Sequence, residues 1–229
     1  MTTISIIYHS RRGHTDRQAE AIRKGAQSVP GVSVHMLTLT AEQVGPHVRW
    51  HDGTVVEALK ASDGIIFGSV TLFGTVSAVF KAFLEATFGL WYEQAFKDKF
   101  AGGFTNSAAL NGDKQVTLMM LLTYAAQMGM FWIPMGDHPG ANWSGAVRDD
   151  INRLGAFLGP MAQSDTDVAD HEAPTAGDLL TAERYGERFA LIVRRWMGEG
   201  NYVTERRPDA AASAAYARMG KKVSDIFPT

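Results

Sequence analysis

Ser10-Arg11-Arg12-Gly13-His14-Thr15 joins the apolar run Ile4-Ser5-Ile6-Ile7-Tyr8 to a segment in which Ala19, Ile22 and Ala26 recur at helical spacing. A strand that turns tightly into a helix leaves unpaired backbone N–H groups and the positive end of a helix dipole at one point, an arrangement that suits a phosphate. Ser10 and Thr15 can add hydroxyl donors, Gly13 can take a positive φ, and Arg11 or Arg12 can add charge. An ordinary strand-to-helix turn uses the same polar residues, so these six positions alone leave both readings standing.

Downstream, Pro30-Gly31 marks a turn, and Val32-Ser33-Val34-His35-Met36 alternates as a half-exposed edge strand does. Residues 41–53 read as a loop. His47 and His51 there are four apart, but Pro46 argues against the helix that would put them on one face, and no metal site is expected. A helix over 54–61 leads to the apolar strand Gly64-Ile65-Ile66-Phe67-Gly68-Ser69. Its exit, residues 70–76, opens a helix lined by Val76, Phe80, Phe83 and Thr87 that ends near Gly89. A fourth strand is expected over 99–104, then a polar loop to Lys114, a buried helix through Leu118, Leu122 and Ala125, and a strand at Phe131-Trp132-Ile133-Pro134. Residues 137–175 show no period and read as loop. Thr175-Ala176-Gly177-Asp178 is a helix-capping signal, and Tyr185, Phe189, Ile192 and Trp196 form a stripe for the core. The chain divides into one domain over residues 1–197 and a tail over 198–229, helical around Ala210–Ala217 and expected against a neighbouring subunit.

Twenty-two basic against 24 acidic side chains, a formal charge of -2, leave no footprint for nucleic acid or acidic lipid. The absence of cysteine removes disulfides, thiolate metal sites and cysteine nucleophiles. No charge occurs between Lys114 and Asp137, yet Gly129 breaks that run, so a buried helix and strand are expected rather than a membrane span. Met1-Thr2-Thr3 runs straight into the first strand, which points to a cytoplasmic protein.

The order β-α-β-α-β-α-β-α-β implies an α/β fold: an open parallel five-stranded sheet, order 2-1-3-4-5, with helices on both faces. Ligands in such sheets bind outside the carboxyl ends of the strands where the order reverses, as FMN does in flavodoxin. The loops leaving strands one, three and four would meet there: Ser10–Thr15, Val70–Val76 and Thr105–Leu110. The first suits a phosphate, and the other two can follow the edge of a flat heteroaromatic ring, with Phe73 offering a face.

These residues carry a resemblance to the flavodoxin-like superfamily. Ser10–Thr15 resembles its phosphate loop, and residues 68–77, Gly-Ser-Val-Thr-Leu-Phe-Gly-Thr-Val-Ser, are similar to the G-T-P-T-R-F-G-N-M-S stretch of the WrbA-type NAD(P)H:quinone oxidoreductases, within the NADPH-dependent FMN reductases. Phe104-Thr105-Asn106-Ser107 with Gln115-Val116-Thr117, Gly129-Met130 with Pro134-Met135-Gly136, and Ala182–Gly186 resemble further motifs in the same order, from about residue 3 to 197. The resemblance implies FMN, with its phosphate on Ser10, Arg12, Gly13, His14 and Thr15. It places the ring edge on Thr71, Leu72, Phe73, Gly74 and Thr75, with Asn106, Ser107 and Ala108 adding contacts. His14 is either a phosphate partner or a helix-start residue. Trp91 matches a tryptophan that reaches a neighbouring subunit's site, and Met128 stands where the family has a histidine near the quinone, so both are assigned to the substrate pocket. Leu72 replaces the family's arginine, and Ala108-Ala109-Leu110 replaces most of its glycine-rich third loop.

The implied reaction is ping-pong: NADH or NADPH reduces the flavin, leaves, and a small quinone-like, azo, nitro or flavin acceptor takes two electrons. The cofactor carries the chemistry, so no catalytic side chain is assigned. A homotetramer or dimer is implied. The alternatives are a flavodoxin-type single-electron carrier, which generally has a strongly acidic docking face, and a flavin-binding interaction protein without turnover.

Overall fold

A computed structural model describes residues 1–198. Its main elements are β1 (Thr2–His9), α1 (His14–Gln27), β2 (Val32–Thr38), α2 (Gly53–Lys60), β3 (Gly64–Val70), α3 (Ala78–Ala86) and α4 (Phe88–Tyr92). They continue with β4 (Phe100–Ser107), α5 (Lys114–Gln127), β5 (Phe131–Trp132), β6 (Met161–Gln163) and α6 (Ala176–Trp196). The sheet is parallel throughout, in the order β2-β1-β3-β4-β5, with β6 also on β4. The expected order therefore holds. The expected tail lies, beyond Gly198, outside the described residues.

Alternation along each strand divides the core into two layers. Ile4, Ile6 and Tyr8 of β1, Ile66 of β3 and Phe104 of β4 pack with Ala19 and Ile22 of α1 and with Tyr185, Phe189 and Val193 of α6. Ile7, Ile65, Phe67 and Ala101 face the other way, onto α2, α3 and α5 through Leu59, Phe80, Phe83, Leu118 and Leu121. The α1 and α6 backbones meet at glycines. A Cβ on Gly25 would lie 1.7 Å from the Glu183 carbonyl oxygen, and one on Gly186 would lie 2.0 Å from that of Ile22, so neither position has room for a methyl group.

The structure departs from the sequence reading in five places, the first being residues 41–53, read as a loop, where Val44–Gly45 pairs antiparallel with Arg49–Trp50. The fifth strand position is shared: β5 pairs with the amino half of β4, at Phe100 and Ala101, and β6 pairs with the carboxyl half, at Thr105, Asn106 and Ser107. The chain leaves the sheet between them. Pro134 cannot donate to a ladder, and Gly159 brings the returning chain so close that a Cβ would sit 1.9 Å from the Gly103 carbonyl oxygen. The β4 strand runs on to Ser107 because that second partner is present, where a polar loop was expected from Thr105. The helix after β3 starts at Ala78, capped by the Ser77 side chain, and breaks at Thr87 before α4. On α6, whose Thr175 cap is as expected, the buried stripe follows Tyr185, Phe189 and Val193. Trp196 is 67% exposed, with its ring against Phe100 and Phe131.

Candidate functional site

The ladders place the three predicted exits side by side: His9 is opposite Ser69, Ser69 opposite Thr105, and Val70 opposite Asn106. All three open at the carboxyl edge of the sheet, at the β1–β3 boundary where its order reverses.

At the first exit Gly13 is the N-cap residue of α1, at φ +82°, and no side chain caps the helix. The donors of its first turn are therefore left to another partner. Ser10 Oγ and His14 Nε2 are buried there without a hydrogen-bond partner, as is Nδ1 of His9 at the end of β1. Buried polar atoms are rarely left unpaired, so this cluster fits an anion better than an ordinary turn. Thr15 is buried, and Arg12 is exposed at the lip. Burial lowers the His9 pKa, with Arg11 adding to the shift and Asp16 opposing it. The exposed Asp170 carboxylate stands 3.9 Å from His14 Nε2, on a segment tied down by Arg17 donating to the Ala173 carbonyl oxygen at 2.8 Å.

The second exit is a tight turn. Leu72 and Thr75 exchange backbone hydrogen bonds of 3.0 and 3.1 Å around Phe73 and Gly74, at φ +51° and +74°. Such a turn suits glycine at both central positions; with phenylalanine at the first, the Phe73 ring is carried clear of the core into solvent. Its base is rigid, because Thr71 Oγ1 lies 2.7 Å from Thr105 Oγ1 and 2.8 Å from Thr117 Oγ1, while its backbone N–H donates to the Asn106 carbonyl.

At the third exit Asn106 and Ser107 are buried and Ala108 is exposed. Asn106 exchanges hydrogen bonds with the Ser164 hydroxyl, at 3.0 and 3.1 Å, and Gln163 Nε2 donates to the Ala108 carbonyl at 3.0 Å. Gln163 in turn accepts from Arg148 and Arg153, and Arg153 is paired with Asp178 through two hydrogen bonds of 2.9 Å. The arginine and aspartate side chains are 6% and 2% exposed. Behind the loop, Lys114 donates to Ser107 Oγ and to the carbonyls of Ala109 and Leu110. No motif marks Lys114, Arg153, Gln163 or Ser164 as a site residue, and Asp178 reads from sequence only as the acid of the capping signal. Their only local signal is several polar residues in segments that otherwise read as helix start or loop.

Trp91 and Met128 do come together, lining one groove with Tyr92, Gln94, Lys97 and Gly129. That groove lies at the amino-terminal edge of β4, away from the three exits of its own chain. Lys114 at the start of α5 touches the end of β4, whereas the Gly129 carbonyl beyond its other end accepts from Asp98, just before β4 begins. Fourteen helical residues separate the two ends, roughly 20 Å at 1.5 Å per residue. Among the described residues no group of three or more His, Cys, Asp or Glu can hold a metal ion, and no helix is long and apolar enough to cross a membrane.

Comparison with known proteins finds relatives named as flavodoxins and as NAD(P)H dehydrogenases (quinone). The chain is 40% identical over 192 residues to the flavodoxin FldP of Pseudomonas aeruginosa (strain UCBPP-PA14), covering 84% of this chain and 97% of that protein. It is 31% identical over 208 residues to an NAD(P)H dehydrogenase (quinone) of Geobacter sulfurreducens, covering 85% and 99%. A solved flavodoxin, WrbA-like protein from Agrobacterium tumefaciens superposes with a TM-score of 0.65 at 35% identity, over 85% of this chain and 99% of that one. The model of the NADPH-dependent FMN reductases matches residues 2–140, from the first strand through all three exits, and the chain belongs to that flavodoxin-like oxidoreductase family.

Proposed function

We propose that the three exits hold FMN and that the protein is an NAD(P)H oxidoreductase acting on quinone-like or related small acceptors. The observation that carries this reading is the pair of buried, unpartnered atoms Ser10 Oγ and His14 Nε2 at an uncapped helix start. Ser10, Gly13, His14 and Thr15 would take the phosphate, with Arg12 adding charge from the lip. The turn Thr71–Thr75 and the strand end Asn106–Ala108 would follow the ring edge, one made rigid by the Thr71–Thr105–Thr117 hydroxyls and the other by Ser164 and Gln163. FMN held there would supply two-electron chemistry between reduced nicotinamide and the acceptor, with the two substrates taking turns at one site in a ping-pong sequence. No protein acid or base is assigned to the transfer. NADH or NADPH added without oxygen is expected to bleach the bound flavin, and a benzoquinone to restore its colour; a flavin that neither nucleotide bleaches overturns the reading.

The likeness to a flavodoxin favours a second reading, a one-electron carrier. Its mark would be a long-lived one-electron-reduced spectrum in a reductive titration, with no turnover of NAD(P)H.

The reading extends to a homo-oligomer, tetramer or dimer, in which the Trp91–Met128 groove serves a neighbour's crevice. Phe88, Trp91 and Tyr92 of α4 are all exposed in the single chain. Light scattering of the purified protein is expected to give a mass two or four times that of the chain, and a monomer removes this part of the proposal.

A further inference from the structure

Lys114 is a cation where a helix least favours one, the first residue of α5, beside the positive end of the dipole, and it is 0% exposed. Among the described residues its Nζ forms no ion pair with an acid. It donates to Ser107 Oγ at 2.9 Å and to the carbonyl oxygens of Ala109 and Leu110 at 2.8 and 3.0 Å, while Gln163 holds the neighbouring Ala108 carbonyl. A planar trans peptide points its N–H opposite to its C=O. The N–H groups of Leu110 and Asn111 are thereby turned away from Lys114 and that of Ala109 away from Gln163, and none of the three donates a hydrogen bond among the described residues. All three residues are exposed. Successive outward N–H groups with a buried cation behind them favour negative charge in front of them.

We infer that Lys114 is a positioning residue that turns the third exit into an array of N–H donors for the electron-rich carbonyl edge of the flavin ring, favouring the ring's reduced, more negative state. This rests on the FMN reading proposed above and adds to it a control of redox poise. The groups facing Lys114 are Asp178 from α6 and Arg153 from the β5–β6 connection, with Asp113 preceding it in the chain. Burial pulls its pKa down to about 8, with Asp178 opposing the shift and Arg153 adding to it. The charge is therefore mostly present at pH 7 and mostly lost by pH 9.

The test is binding of FMN, oxidised and chemically reduced without oxygen, to the wild-type protein, Lys114→Met and Lys114→Arg. Lys114→Met is expected to weaken reduced FMN about tenfold more than oxidised FMN, the loss of one charge-assisted contact. In the two-electron potential of bound FMN relative to free FMN, that is a fall of about 30 mV. Lys114→Arg should recover part of the difference, and the wild-type preference for reduced FMN should shrink from pH 7 to pH 9. Equal weakening of both redox forms in Lys114→Met overturns the inference. Should Lys114→Met fail to fold, Lys114→Gln, which keeps most of the stem and a donor but no charge, takes its place in the same comparison. Wild-type protein that binds neither form overturns the FMN reading itself, which separates the two failures.

Discussion

Ser10→Ala/His14→Ala is expected to weaken FMN binding about a thousandfold while leaving riboflavin, which lacks the phosphate, bound as before. Each substitution removes a buried polar atom that has no hydrogen-bond partner within the chain, Asp170 standing 3.9 Å from His14 Nε2. A hydrogen bond to a charged acceptor contributes about 1.5–3 kcal/mol, and two of them correspond to roughly three powers of ten in affinity. The uncapped N–H groups of α1 and the positive φ of Gly13 remain, so residual binding persists. Because the change deletes polar atoms that are unpaired in the free protein, the thermal midpoint without ligand should stay level or rise. Calorimetric titration with both ligands makes the check. An equal loss for FMN and riboflavin would mean a collapsed crevice rather than a lost phosphate site, and an unchanged FMN affinity would remove the site from this exit.

Arg153→Met is expected to destabilise the fold by about 3–5 kcal/mol at pH 7, a large share of the stability of a domain this size. The cause is the partner left behind. Asp178 is 2% exposed, accepts from both Arg153 nitrogens and from the Gln163 backbone, and would keep its charge in a buried place with only the last of these. Burial already pushes the Asp178 pKa above its ordinary value of 3.8, against the pull of Arg153 and Lys114. Without the arginine it rises further. A carboxyl whose folded pKa lies above its unfolded one stabilises the fold most below the unfolded value, and this is lost as the pH rises through the folded value. The deficit of the variant should accordingly shrink as the pH falls from 7 toward 4, and Arg153→Met/Asp178→Asn should recover much of it at pH 7. Urea unfolding at several pH values measures both effects; a deficit that does not vary with pH would place the cost in lost packing of the arginine stem. Gln163, which bridges Arg153 to the Ala108 carbonyl, carries any disturbance to the third exit, so FMN affinity should fall as well.

Local pattern was enough for the sheet and for much of the crevice. Apolar runs bounded by turns mark β1, β3 and the start of β4, and the Thr175 cap marks the start of α6. A parallel sheet with crossover helices then brings its strand exits together, which is why Ser10–Thr15, Thr71–Thr75 and Asn106–Ala108 could be grouped without coordinates. Positions whose meaning depends on distant partners were read less well. Met161–Gln163 is too short to show a period, and it becomes a strand because the Thr105–Ser107 edge is open to it. Trp196 keeps helical spacing with the core residues of α6, yet it comes at the end of the helix, where Phe100 and Phe131 cover only part of its ring.

The sequence by itself determined the layer order, the strand order and the family, because hydrophobic period, turn residues and several collinear motifs are local properties. Tertiary structure alone decided that strand five is split, that Lys114, Gln163 and the Arg153–Asp178 pair stand behind the third exit, and that Trp91 and Met128 lie at the far edge of the sheet from the crevice. Whether a charged side chain is solvated or buried against a carbonyl depends on what the rest of the chain brings to it, and spacing along the chain does not encode that.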